Sequence, residues 1–320
     1  MSIIERVADL IGPIARSDRE SSPLREEREI PDLDLLEQSL SESQQRPEPP
    51  ELREVATRPD LKKHTVGSGL RTAQIPVKTS RVLSIDPERL RRQNMIMPDD
   101  NRTLIAEAFR RIKRRIILNV DHPKPGTRPN LVMVTSSVPG EGKSFCAINL
   151  ALSIALEMDH TVLLVDGDVA KPSLPRVLGV ETDKGLMDVL LDRQIRLSDV
   201  LCRTNIGKLM LLPAGTAHRQ ATELLASTAM RRVLEELADR YPDRIVIFDS
   251  PPLMAASEAS VLASHMGQVV IVVEAGKTTE AVLKSALGRI ELDNVVGLLL
   301  NKGDQSGPAG GYGGYGYEAT

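Results

Sequence analysis

Cysteine, aromatic residues and long apolar runs are all scarce in this sequence. The two cysteines, Cys146 and Cys202, have no CxxC spacing, which excludes a disulfide scaffold and a zinc site and suits a reducing compartment. No stretch approaches the roughly 18 uncharged apolar residues of a membrane span, and no signal-peptide pattern is visible. A net charge of −3 leaves no global nucleic-acid footprint. Aromatic side chains make up only 2% of the 320 residues, yet three of the four tyrosines, Tyr312, Tyr315 and Tyr317, crowd into one short tail. At this length the chain makes one large or two ordinary domains.

The richest local pattern is LVMVTSSVPGEGKSFCAINLAL, from Leu131 to Leu152. An apolar run ends in Thr135, Ser136 and Ser137, turns through Pro139, Gly140, Glu141 and Gly142, and passes into an apolar-periodic segment at Lys143 and Ser144. This reads as a strand, a phosphate-sized loop and a helix. Gly140 and Gly142 allow close approach of successive N–H groups to phosphate oxygens, and the helix start adds positive potential. Lys143 can reach the β- and γ-phosphates, and the Ser144 hydroxyl can ligate Mg²⁺. The pattern GxxxxGK(S/T) is met except at its first glycine, where Ser137 stands.

Residues 1–16 contain a short amphipathic helix, with Ser2 and Glu5 as a capping box and Gly12-Pro13 as its stop. Residues 17–97 are rich in Glu, Arg, Ser, Gln and Pro and read as a disordered linker, with a short helix near Leu33 to Leu40. The ordered domain is expected over residues 98–302. Its first helix carries Leu104, Ile105, Ala108, Phe109, Ile112 and Ile116 on one face, with Asp100 or Asn101 as cap. On another face Glu107, Arg110 and Arg114 have the spacing of intrahelical ion pairs.

Further apolar runs recur at helix-length separations: Val162 to Val165, Leu209 to Leu212, Ile245 to Phe248, Val269 to Val273 and Gly297 to Leu300. Helical patterns lie between them, such as Met230, Val233, Leu234, Leu237 and Val282, Leu283, Ala286, Leu287, Ile290. Alternating βα units predict an α/β fold with a doubly wound, mainly parallel sheet and ligands at the strands' carboxyl ends. Two of those ends carry acid: VLLVDGD places Asp166 and Asp168, and IVIFDSPP places Asp249. Ser144 and one carboxylate suffice for the Mg²⁺ of ATP, so a further carboxylate is free to deprotonate an acceptor.

The tail, residues 303–320, is glycine-rich and holds no Lys or Arg. A flexible Gly/Tyr tail can self-associate; beside a Mg-ATP site it can also be a phosphoacceptor. A tyrosine hydroxyl with a pKa of about 10 must shed its proton during transfer, which a carboxylate assists. From Asn301 to Tyr312 the chain spans roughly 18 Å as a coil and up to about 33 Å extended. Each phosphate would add about −1.5 to −2 of charge and repel the tail from an aspartate-lined site.

From about Asn101 to Thr320 the sequence resembles the bacterial tyrosine kinases (BY-kinases) of polysaccharide synthesis and export. It is most similar to the stand-alone form linked to exosortase-type exopolysaccharide systems. The resemblance rests on SSVPGEGKS as Walker A, VLLVDGD as Walker A′, IVIFDSPP as Walker B, and the tyrosine tail. It implies a P-loop domain of the partition-ATPase-like type using ATP and Mg²⁺. By that resemblance Lys143, Asp166 and Asp168 are catalytic, with Asp166 the base, and Ser144, Asp168 and Asp249 hold the metal. Residues Pro139 to Phe145 (Pro139, Gly140, Glu141, Gly142, Lys143, Ser144, Phe145) and Asn301 bind the nucleotide, Asn301 at adenine. Tyr312, Tyr315 and Tyr317 accept phosphate. Glu107, Arg110 and Lys113 fall on a family motif, ExxRxxR, that mediates ring-like self-association. The partners implied are other copies of the chain, a separate membrane activator of the chain-length regulator type and a tyrosine phosphatase, but no nucleic acid. The expected location is cytoplasmic, at the inner face of the membrane. Two departures stand out. Val169-Ala170-Lys171 follows Walker A′ where the family has an arginine, and the self-association motif ends in Lys113. The alternative is a partition- or septum-site-type ATPase switch, whose loop carries an early lysine where this chain has Val138.

Overall fold

Residues that alternate between two buried faces can only form strands covered on both sides, and that is how the centre of this chain is built. The structure, a computed structural model, describes residues 82–97, 103–241, 243–291 and 294–303. The expected helix of residues 1–16, the helix near Leu33 to Leu40 and the tail tyrosines lie outside these residues.

In chain order the elements are β1 (Val82–Leu83), α1 (Pro87–Arg92), α2 (Leu104–Asp121), β2 (Leu131–Ser136), α3 (Lys143–Ala155) and β3 (Thr161–Asp166). There follow α4 (Leu174–Leu178), α5 (Leu186–Leu191), α6 (Leu197–Val200), β4 (Cys202–Thr204), β5 (Leu209–Leu212), α7 (Ala221–Leu225) and α8 (Thr228–Asp239). The chain continues through β6 (Arg244–Asp249), α9 (Ser257–Ala263), β7 (Gln268–Glu274), α10 (Glu280–Leu287) and β8 (Val295–Asn301). The strands form one sheet in the order β1-β4-β5-β3-β6-β2-β7-β8. Every pair is parallel except β4 with β5. The doubly wound, mainly parallel sheet is therefore as expected, and each apolar run named from the sequence is a strand.

Val132, Val134, Val162, Leu164, Ile245, Ile247, Val270 and Val272 face one core, against Phe109 and Ile116 of α2 and the buried length of α3. Their neighbours Met133, Leu163, Val246, Phe248 and Ile271 are also buried and, by the strand's period of two, face the other way. Helix α2 begins at Thr103, later than the expected Asp100 or Asn101, its hydroxyl accepting from the Ala106 N–H at 3.2 Å.

The largest correction concerns the linker. Residues 82–97 are part of the folded body: Leu83, Ile85, Leu90, Met95, Ile96 and Met97 are all buried in the core shared with α2 and α3. Asp86 caps α1, Pro87 occupies its first turn and Asn94, in the left-handed conformation at φ 53°, ends it. These signals are correct but short, and the charged residues between them resemble the polar segment before.

Candidate functional site

The turn after β2 is shaped by Gly140 and Gly142, at φ 91° and 97°, a region other residues enter at a cost. Gly142 is the cap of α3, and a Cβ there would collide with the Asn301 side-chain amide. Ser137 has no positive φ, so a glycine is not required where the usual pattern has one. Glu141, expected to meet a nucleotide, turns its side chain inward. Its buried carboxylate accepts from the Val138 N–H at 2.8 Å, the Glu274 N–H at 3.4 Å and the Thr278 hydroxyl. It braces the loop from beneath, and the residue as a whole is buried. Pro139 and Gly140 form the exposed tip, where Lys302 donates to the Gly140 carbonyl at 2.7 Å.

Strands β3 and β6 pair in a register that sets Asp166 opposite Asp249. Adjacent strands lie about 4.8 Å apart and paired residues point to the same face, so the two carboxylates are neighbours. Both are fully buried. Burial first, and then the charge of Asp249, pushes the Asp166 carboxyl up to about 7, against the pull of two backbone N–H bonds, from Ser173 and Leu174, each 3.0 Å to Oδ2. Asp249 is also raised by burial, with Lys143 opposing. Lys143 Nζ lies 2.9 Å from Asp168 Oδ2 and 3.6 Å from Asp249 Oδ1. Burial pulls the Lys143 ammonium down, but the carboxylates around it, Asp249 and Asp168 foremost, win and raise it.

Asp166, Asp168, Asp249, Lys143 and Ser144 thus converge. Sequence reading missed Ser173, whose hydroxyl lies 3.1 Å from Ser144 Oγ and 3.4 Å from Asp249 Oδ2. The only signal was its place shortly after VLLVDGD. Lys171 donates its backbone N–H to Asp168 Oδ1 at 3.2 Å and exposes its side chain.

The donor set fits a hard cation held mainly by phosphates. Asp249 Oδ1 and Asp166 Oδ1 are buried without a hydrogen-bond partner, and the Ser144 hydroxyl lies in the same cluster. Mg²⁺ asks for one or two carboxylates and leaves its other positions to water and phosphate. Among the described residues no group of three or more His, Cys, Asp and Glu side chains is arranged to hold a metal ion.

Beside the loop a cavity of about 940 Å³ opens between α2 and β8, lined in part by Ile105, Phe109, Ile112, Phe145, Leu299 and Asn301. The lining is mainly apolar and includes both Phe145 and Asn301. The Asn301 amide donates to the Glu141 carbonyl at 2.8 Å, tying the end of β8 to the loop.

The self-association residues divide. Glu107 pairs with Arg110 along α2, and Arg111 approaches it at 3.7 Å. Lys113 is buried and turned into its own domain. It donates to the Ser153 carbonyl at 3.0 Å and pairs with Glu157 at 2.5 Å. A lysine stem reaches the otherwise unpaired carbonyls near the end of α3, so Lys113 is not the exposed contact expected of it. Lys113→Met should cost about 1–2 kcal/mol in urea unfolding through the lost bond and cap. No loss would show that the contact is incidental.

A family model described as an AAA domain matches residues 130–292. Tyrosine-protein kinase YwqD of Bacillus subtilis is 31% identical over 65% of this chain and 86% of its own length. Succinoglycan biosynthesis transport protein ExoP of Rhizobium meliloti is 30% identical over 69% of this chain but only 28% of its own. Among solved structures, the chimerical protein CapA2B2 is 26% identical with a TM-score of 0.57, covering 70% of this chain and 94% of that one. No described helix is long and apolar enough to cross a membrane.

Proposed function

Because the chain belongs to the bacterial tyrosine-protein kinase family, we propose that it is an ATP-dependent autokinase that phosphorylates Tyr312, Tyr315 and Tyr317 of its tail. The observation that carries this reading is the pairing of Asp166 with Asp249 at the strand ends, beside Lys143 and the glycine loop. Asp249, with Asp168, meets the needs of nucleotide binding; Asp166 serves the acceptor.

In this reading Gly140 and Gly142 let backbone N–H groups cradle the phosphates of ATP, and Lys143 neutralises charge on the γ-phosphoryl group. Ser144, Asp168 and Asp249 would hold Mg²⁺, which when bound screens phosphate charge and fixes phosphate geometry. Asp166, whose carboxyl burial and Asp249 raise toward neutrality, accepts the tyrosine hydroxyl proton. The tyrosine oxygen bonds to the γ-phosphorus as the bond to the β–γ bridging oxygen breaks, and ADP leaves. The cavity between α2 and β8 receives adenine against Phe145, with Asn301 at its mouth.

At the level of the cell, the chain regulates exopolysaccharide synthesis or export. It is held at the inner membrane face by a separate chain-length-regulator-type activator, assembles with other copies through Glu107 and Arg110, and is reset by a tyrosine phosphatase. The likeness to a succinoglycan biosynthesis protein supports the polysaccharide part.

Incubation with γ-labelled ATP tests the chemistry. Label is expected on the three tail tyrosines and should fall about 10³-fold in Lys143→Met, which loses the charge that meets the transferred group. Phosphate release without tail labelling would instead favour an ATPase switch.

A further inference from the structure

Residues 82–97 form a strap. Strand β1 joins the sheet beside β4, and the Asn205 amide brackets Ile85, accepting from its N–H at 2.9 Å and donating to its carbonyl at 3.0 Å. At its far end the Ile96 N–H donates to Asn149 of α3 at 2.8 Å. Between these anchors α1 reaches sideways to α4. Arg89 Nε donates to the Val177 carbonyl at 2.9 Å, Arg89 Nη2 to the Arg176 carbonyl at 2.7 Å, and Gln93 Nε2 to Val177 at 3.2 Å.

Those carbonyls close the carboxyl end of α4, where a helix leaves acceptors unpaired and favours a cation. Gly179 caps the same end at φ 72°, and a Cβ there would stand 2.7 Å from Arg89 Cδ, so the guanidinium stem packs where only glycine leaves room. At the opposite end, the N–H groups of Ser173 and Leu174 hold Asp166 Oδ2, and the Ser173 hydroxyl touches Ser144 and Asp249. A helix of one turn and a half has no stability of its own, so its position is set by what grips its two ends.

We infer that Arg89 is a positioning residue for phosphoryl transfer: by gripping the carboxyl end of α4 it sets where the amino end places Asp166 and Ser173. The inference rests on the proposed kinase reaction and adds a residue to it. Arg89 bonds neither the glycine loop nor Lys143, but Ser173 touches Ser144 and Asp249. Loss of Arg89 should therefore slow the chemical step more than it weakens ATP binding.

The test uses the full chain with Arg89→Met, which keeps the stem against Gly179 and removes the donors, and Arg89→Lys, which returns a cation without the fork. Two readouts are needed: amide hydrogen exchange across residues 170–178, and the kcat and ATP KM of tail labelling. For Arg89→Met the Ser173 and Leu174 amides should exchange at least about 10-fold faster, with β2 and α3 unchanged. The kcat should fall roughly 10- to 100-fold, since small misplacements of reacting groups are costly, while KM for ATP rises by a smaller factor, within about fivefold. Arg89→Lys should recover part of both effects. Wild-type exchange at Ser173 and Leu174, an unchanged kcat, or a KM that rises by as large a factor as kcat falls would each overturn the inference. Failure of the wild-type chain to label its tail would overturn the kinase reading instead, and the exchange measurement would still decide whether Arg89 holds α4 on Asp166.

Discussion

Asp166→Asn is expected to lose tail labelling by about 10²- to 10⁴-fold and, at the same time, to make the folded chain more stable at pH 8. The two effects have one origin. Asp166 is buried beside Asp249, which lifts its carboxyl from the ordinary 3.8 to about 7. In the unfolded chain the group ionises near its ordinary value. Stability contributed by the neutral carboxyl is therefore fully present below about pH 4 and is lost as pH rises toward 7. The ceiling is about 4 kcal/mol at 1.36 kcal/mol per pKa unit, and relaxation around a coupled pair reduces it to about 1–3 kcal/mol. Asparagine keeps an oxygen for the Ser173 and Leu174 N–H groups but never ionises, so its advantage over the wild type should be small at pH 4.5 and large at pH 8. Denaturant unfolding at both pH values, without nucleotide or metal, measures it. An advantage independent of pH would contradict the buried-acid account, and retained labelling would remove Asp166 from the base's role.

A chain beginning at residue 98, where sequence alone places the start of the domain, should fail to fold as a stable unit. It would lack Leu83, Ile85, Leu90, Met95, Ile96 and Met97, none more than 7% exposed. Burying each such side chain stabilises by about 1.5–3 kcal/mol, so even half the sum is on the order of the 5–15 kcal/mol that holds a typical domain together. The buried Asn149 amide oxygen would also lose the Ile96 N–H it accepts from. A chain beginning at Lys78 should melt cooperatively at nearly the full-length temperature, whereas one beginning at residue 98 should show no cooperative transition. Melting of the two within a few degrees of each other would make the strap dispensable.

The strap also shows why the sequence reading stopped where it did. A two-residue strand and a six-residue helix are too short for periodicity to register, and their exposed faces carry the same Arg and Glu as the linker. Lys113 is similar: its spacing on α2 matched a surface motif, but which neighbour its stem would meet depended on the end of α3.

By itself the sequence determined six of the eight described strands, the glycine loop and the acids Asp166, Asp168 and Asp249 at the carboxyl ends of β3 and β6, because these follow from local periodicity and from backbone conformations that only glycine adopts readily. The tertiary structure alone decided that Asp166 and Asp249, distant in the chain, stand side by side, that Glu141 faces inward, and that Ser173 and Arg89 bear on the site at all. Register and burial arise from pairing across the sheet, and a carboxyl's proton affinity is set by what surrounds it in space and not by its neighbours along the chain.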